Sequence, residues 1–230
     1  MRWLKLVTAL GLICVCLSAC AQTYSGFLPE ADFYYKLRDG ARFQLQAKET
    51  REANVPTQAE FGPSVEFYVH SLARLVNMAT FDLDDAKAQV VVLSAGYRYL
   101  PQTNGGGPAT NRIEPVATVR FPLTNKVLLT DRNRFDLDWK TGSFFWRYRN
   151  RVQVEGPAAI RSYHLTPYAS TEAIYQSVYG KWSDTAIYAG CLFPIRKRVQ
   201  LDPYYEHQNE TGKSPNLVLN QFGVILNVFY

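Results

Sequence analysis

Cysteine, histidine and long apolar runs are all scarce in this chain, and each scarcity closes off a class of protein. Four cysteines occur in 230 residues, and Cys14, Cys16 and Cys20 lie in or beside an apolar leader, so Cys191 is the one thiol in the main body. A single thiol supports neither a disulfide framework nor a thiolate metal site. The three histidines, His70, His164 and His207, have no metal-ligand spacing, and no metal or other cofactor is expected. Gly105-Gly106-Gly107 is followed by neither a helix nor a Lys-Ser/Thr pair, which excludes a phosphate-binding loop. Past the leader, no stretch approaches the roughly eighteen consecutive apolar residues of a membrane helix. That excludes a helical membrane protein and leaves a strand-built one open. Strong charge is missing too: the formal balance of +5 falls to about +3 once Arg2 and Lys5 leave with the leader, too dispersed to suggest nucleic acid.

The leader has a basic head, Met1 to Lys5, and a short apolar run, Leu6 to Leu17, which together read as a secretory signal too short to span a bilayer. Residues 1–21 are therefore expected to be a cleaved signal peptide, and residues 22–230 a single barrel domain. Two cleavage readings overlap. Leu17-Ser18-Ala19-Cys20 resembles a lipobox, with cleavage before an acylated Cys20, whereas Ala19-Cys20-Ala21 suits an ordinary small-x-small site with cleavage after Ala21.

What is abundant is alternation. In the last fourteen residues Phe222, Val224, Leu226, Val228 and the terminal Tyr230 share one nearly apolar face, while Leu219, Gln221, Gly223, Ile225, Asn227 and Phe229 make a mixed one. The same period of two recurs upstream. Ala31, Phe33, Tyr35 and Leu37 oppose Asp32, Tyr34, Lys36 and Arg38, with Asp39-Gly40 as the turn. Phe135, Leu137 and Trp139 oppose Arg132, Arg134, Asp136 and Asp138; Phe144, Trp146 and Tyr148 oppose Arg147, Arg149 and Arg151. Charges keep to one face throughout. Eleven such segments can be counted, but bacterial barrels have even strand numbers with both termini at one end, so about twelve strands, or ten, are expected. Residues 71–85 are the least legible: Leu72, Leu75 and Val76 suit a helical turn or a strand, and Asp82 to Asp85 reads as a solvated break. Prolines 115, 167, 194 and 203 are expected at bulges or strand ends, because each removes a ladder donor.

Gly96-Tyr97-Arg98-Tyr99, the run Asp131 to Asp136, the run Arg147 to Arg151 and Glu172 together resemble the domain of unknown function 2490 family of small bacterial outer-membrane barrels. The resemblance runs from about Glu30 to Tyr230. It implies an antiparallel transmembrane β-barrel in a Gram-negative outer membrane and no known activity. Where that family often has Glu between such arginines, this chain has the shorter Asp136.

Turn lengths give a register for the charged face. If Thr141-Gly142 is a two-residue turn, Asp136 faces Arg147 and Arg134 faces Arg149; if Leu123-Thr124-Asn125 is a three-residue turn, Arg112 faces Asp136 and Glu114 faces Arg134. The expected lumenal charge network is Arg112, Glu114, Arg132, Arg134, Asp136, Asp138, Arg147, Arg149, Arg151 and Glu172. Gly96 and Gly223 lie on the same face, where they would leave room for long arginines. Phe222, Val224, Leu226, Val228 and Tyr230 are the expected assembly signal.

Two other functions compete. A soluble lipocalin-like ligand-binding barrel alternates as well, with its apolar face inside, but its solvated face would be rich in Lys, Glu and Ser. An outer-membrane lipid hydrolase could use Ser162 and His164, yet parity places both on the lumenal side rather than the lipid-facing wall. The favoured expectation is a monomeric outer-membrane barrel, acting as a small porin-like pore, a ligand-binding barrel or a structural component. Its expected partners are outer-membrane lipid and the barrel-assembly machinery.

Overall fold

The computed structural model describes residues 22–52, 55–69, 82–103, 105–212 and 214–230. The expected signal peptide with both of its cleavage readings, Cys20, His70 and most of the 71–85 stretch lie outside the described residues. Twelve strands are assigned: β1 (Gln22–Arg38), β2 (Ala41–Glu52), β3 (Val55–Tyr68), β4 (Val91–Leu100), β5 (Thr110–Pro122), β6 (Leu128–Lys140), β7 (Ser143–Glu155), β8 (Ala158–Ile160), β9 (Tyr163–Gln176), β10 (Lys181–Arg196), β11 (Val199–Glu210) and β12 (Leu217–Phe229). A 3₁₀ turn, Asp85–Ala88, lies between β3 and β4.

Eleven of these strands close into a barrel in chain order, and β8 only folds back on the start of β9, pairing Ile160 with Tyr163 and Ala158 with Leu165. The expected even count of about twelve strands, or ten, is overturned. With each strand antiparallel to the one before it, an odd number leaves the first and last pointing the same way, so the ring closes on one parallel seam. That seam pairs β1 with β12 from Gln22↔Leu217 to Tyr34↔Phe229. The eleven segments counted in the sequence are these eleven strands. Their ends run longer than the alternation suggested: β1 begins at Gln22, nine residues before the alternating face that starts at Ala31.

Strand parity sorts the side chains by chemistry. Large apolar groups at Phe33, Leu45, Phe67, Leu93, Ile113, Phe135, Ile187 and Phe222 are exposed on the outside. Asp32, Arg42, Arg98, Arg112, Glu114, Asp136, Asp138, Glu172 and Glu206 are buried inside. The barrel is thus apolar outside and charged within.

The prolines act differently from expectation. Only Pro194 borders a register shift. The β5–β6 ladder passes from Ile113↔Leu137 to Val116↔Arg134 across Pro115 without changing register, and the β10–β11 ladder crosses Pro203 in the same way. The absent donor thins one side of the ladder instead of bulging the strand.

Candidate functional site: the lumen

The β6–β7 hairpin turns on Thr141-Gly142, where positive φ of 48° and 77° makes the two-residue turn that sets the register. Asp136 therefore faces Arg147 and Arg134 faces Arg149, as the turn length predicts. The β5–β6 register differs from expectation. Its connection spans Leu123 to Val127, closed by Leu123 N–H donating to the Val127 carbonyl at 2.9 Å, and this moves the ladder by two residues. Arg112 consequently faces Asp138. A shift of two keeps every side chain on its face, and long guanidiniums still span the diagonal: Arg112 reaches Asp136 at 4.0 Å and Arg134 reaches Glu114 at 3.7 Å.

Asp136 is the hub, at 0 % exposure. Arg147 lies 3.1 Å away and Arg149 3.9 Å. Arg134 approaches it twice. Nη2 donates to Oδ2 at 3.2 Å, whereas the 2.7 Å approach of Nε to Oδ1 lacks hydrogen-bond geometry and is Coulombic only. Arg112 forks onto Asp138, with Nε and Nη2 donating at 2.6 and 3.2 Å. Arg149 forks onto Glu172 at 3.1 and 2.6 Å, and Arg151 adds a third bond to Glu172 at 3.2 Å. Such bidentate pairs are among the strongest polar contacts available. They offset the several kcal/mol per ion that confinement away from bulk water costs. Arg132 lies on the same face, opposite Arg151 and Thr118.

Arg98 has a role that strand alternation does not announce. Pro63 lacks an N–H, and the β3–β4 ladder passes from Phe61↔Tyr99 to Ser64↔Gly96 across it. Arg98 Nη1 donates into that gap, to the carbonyls of Pro63, Tyr97 and Gly62 at 2.9, 3.1 and 3.2 Å. Gly96 leaves the space, since a β-carbon there would sit 3.1 Å from Arg98 Nη1. Gly223 behaves otherwise than expected: the ring of Tyr204, not an arginine, fills the room above it.

The wall formed by β9 to β12 and β1 is tyrosine-rich. Tyr188 OH lies 2.9 Å from Glu172 and 2.8 Å from Glu206. Its single proton can serve one carboxylate at a time. Tyr168 OH donates to Asp202, and Arg151 stacks over the Tyr188 ring at 4.0 Å.

The segment before β4 folds into the lumen at the mouth where the chain ends. Asp82 to Asp85 is not a solvated break. Asp84 caps the 3₁₀ turn, accepting from Ala86 N–H at 3.0 Å, and binds Arg42 of β2 at 2.5 Å. Ala86 is fully buried and packs with Tyr68 and Val92. Arg120 of β5 donates to the Ala86 carbonyl at 3.0 Å, Lys87 pairs with Asp82 and with Glu155 of β7 at 2.8 Å, and Gln200 of β11 donates to Asp82 at 2.7 Å. Strands β2 and β7 lie on opposite sides of the ring, as do β5 and β11, so these bonds carry the segment across the mouth as a plug. Burial pushes the Asp84 carboxyl up, but Arg42, Arg120 and Lys87 outweigh it and hold the group at about 2. Burial pushes the Lys87 ammonium down, and Asp82 and Glu155 more than reverse this, raising it above its usual range.

The remaining singled-out residues lie elsewhere. Ser162 is in the β8–β9 turn and His164 sits in that hairpin opposite Ala159, both at the rim and apart from the charge network. Phe222, Val224, Leu226, Val228 and Tyr230 share the outer face of β12 or its end, with Phe222 59 % exposed.

Sequence reasoning missed Arg42, Asp82, Asp84, Lys87 and Glu155 as members of the lumenal machinery. Four acids at Asp82, Asp84, Asp85 and Glu155, set against Arg42, Lys87 and Arg120, were the available signal, and only the fold brings them together.

Geometry therefore defines a closed β-barrel with a charge-filled lumen and a plugged mouth. A family model described as Protein of unknown function (DUF2490) matches residues 85–218, and the chain belongs to that family. The match starts at the 3₁₀ turn of the plug and ends as β12 begins, so it takes in the arginines of β4 to β7 and leaves out Arg42. No curated protein matches the chain.

Proposed function

We propose that this protein is an outer-membrane β-barrel, exported through a cleaved signal peptide, whose lumen is a plugged, charge-lined chamber for binding rather than a constitutively open pore. The observation that carries this reading is the polarity of the wall: phenylalanine and leucine outward, arginine and carboxylate inward. In water that arrangement would expose a continuous apolar belt while confining charges, and hydrocarbon reverses the balance. Strand length supports it, since even β4 has 10 residues and a tilted spanning strand needs roughly 9–11. So do aromatics at both rims, Trp139, Phe144 and Trp182 at one and Tyr35, Tyr163 and Tyr230 at the other.

Membrane lipid and the assembly machinery are the partners this reading requires, and Phe222 to Tyr230 is the segment that machinery would take. Folded in detergent, the protein should migrate anomalously on unheated gels and normally after boiling. Recovery of the mature chain from the periplasm, unaggregated and without detergent, would refute the reading. Deleting Tyr230 should lower the amount of assembled barrel far more than the amount synthesised.

A further inference from the structure

Nearly every arginine on the inner wall of β5 to β7 has a partner. Arg112 holds Asp138, Arg134 and Arg147 hold Asp136, Arg149 and Arg151 hold Glu172, and Arg120 is bonded to the plug. Arg132 is the exception: among the described residues it makes no ion pair and no hydrogen bond. Its position does not explain this by turning it outward. It shares inward parity with Arg134 and Asp136, yet it is exposed where Asp136 is buried, so it borders open space inside the barrel.

No carboxylate among the described residues lies within ion-pair distance of it; Asp32 of β1, buried with one oxygen unpartnered, acts on it only from further away. The charges acting on Arg132 most strongly are Arg134 and Arg151, both positive; Glu114 and Glu172 come after them. Glu114 is already approached by Arg98, Arg112 and Arg134, and Glu172 by Arg149 and Arg151. Arg151 is itself held by its bond to Glu172 and its stack on Tyr188. An uncompensated guanidinium beside two others is costly in a confined space, and its planar fork matches an oxyanion.

We propose that Arg132 is the anchoring residue of a lumenal oxyanion site, which takes the carboxylate or phosphate group of a small solute. The proposal rests on the reading of the lumen as a binding chamber. A solute is the fitting source of the anion because the site is inside the wall, where an acyl chain would meet charges.

The test is thermal unfolding of the purified full-length protein in detergent, with inorganic phosphate or succinate against chloride at equal ionic strength. Wild type should be stabilised by at least one oxyanion, and its apparent affinity should weaken roughly ten- to hundredfold in Arg132→Gln, the scale of a lost charge-assisted bond. Arg132→Lys should recover part of the response, and Lys126→Gln, an exposed change in the β5–β6 turn, should leave it intact. Without oxyanion, Arg132→Gln should unfold no lower than wild type, because the change removes repulsion and breaks no pair. Stabilisation by phosphate alone assigns a phosphate-bearing solute, and by succinate alone a carboxylate. An equal response in wild type and Arg132→Gln, or none in wild type, overturns the site. Gel mobility before and after boiling, read on the same samples, separates that outcome from failure of the barrel reading.

Discussion

At the scale of single residues, Asp136 tests whether the lumen is a bonded network or a wet channel lined with charge. Four guanidiniums lie within 4.0 Å of it, and the carboxylate has no exposure at all. Asp136→Asn should lower stability by about 3–5 kcal/mol, since it leaves confined cations without their counter-charge. Arg147→Gln in the same background should cost less than it does alone, with coupling of roughly 0.5–3 kcal/mol. Unfolding from detergent of wild type, both single variants and the double variant measures this, and additivity within error would rule out the network. Arg98 and Asp136 differ in legibility for a physical reason. Alternation announces which face a charge takes, so Asp136 could be placed opposite Arg147 from the turn alone. Arg98 instead fills a gap that Pro63 opens on the neighbouring strand, and that relation needs the register between β3 and β4.

At the scale of elements, the plug and the hairpins show what local pattern can and cannot carry. Tight turns fix register, which is why the two-residue Thr141-Gly142 turn makes its pairing legible in the sequence, whereas the longer Leu123–Val127 connection sets a ladder two residues away from the expected one. The plug has no period at all, being a short 3₁₀ turn held by partners from five strands, so composition read it as solvated. Its ion pairs set a pH window. Asp84 is held at about 2 against an ordinary 3.8, so its contribution is complete above about pH 4 and is lost as pH falls toward 2. Lys87 is raised above its ordinary 10.5, so its contribution is present below that value and is lost only in stronger alkali. In a planar bilayer the protein should therefore conduct little from about pH 4 to about pH 10 and open on acidification below that window. Asp84→Asn should open it at neutral pH. Unchanged, low conductance in that variant would mean the plug does not control access.

The whole molecule turns on its closure. Strand-count parity pointed to ten or twelve because the rule was applied to the ring as a whole, whereas eleven alternating segments were in plain view; an odd ring needs one parallel pair, and no single segment records which strands will make it. The seam explains how Tyr230 is placed. Its N–H donates to the Tyr34 carbonyl at 2.8 Å, its carbonyl accepts from Lys36 at 2.9 Å, and its ring stacks on Tyr35 and under Arg198. The chain end is thereby stitched to the end of β1, while Gln22 begins at the opposite mouth beside Leu217. A cysteine pair reads this directly. Phe27 and Phe222 are seam partners, both exposed on the outer wall, so Phe27→Cys with Phe222→Cys, in a chain also carrying Cys191→Ala, should cross-link under mild oxidation. Neighbouring strands lie about 4.8 Å apart, within the reach of a disulfide, whereas moving one member two residues along the strand adds roughly 6.6 Å. Phe27→Cys with Val224→Cys should then cross-link poorly. The linked protein should keep altered mobility after boiling until a reductant is added. Equal cross-linking of both pairs, or linkage of the second alone, would mean that β1 and β12 do not meet in this parallel register.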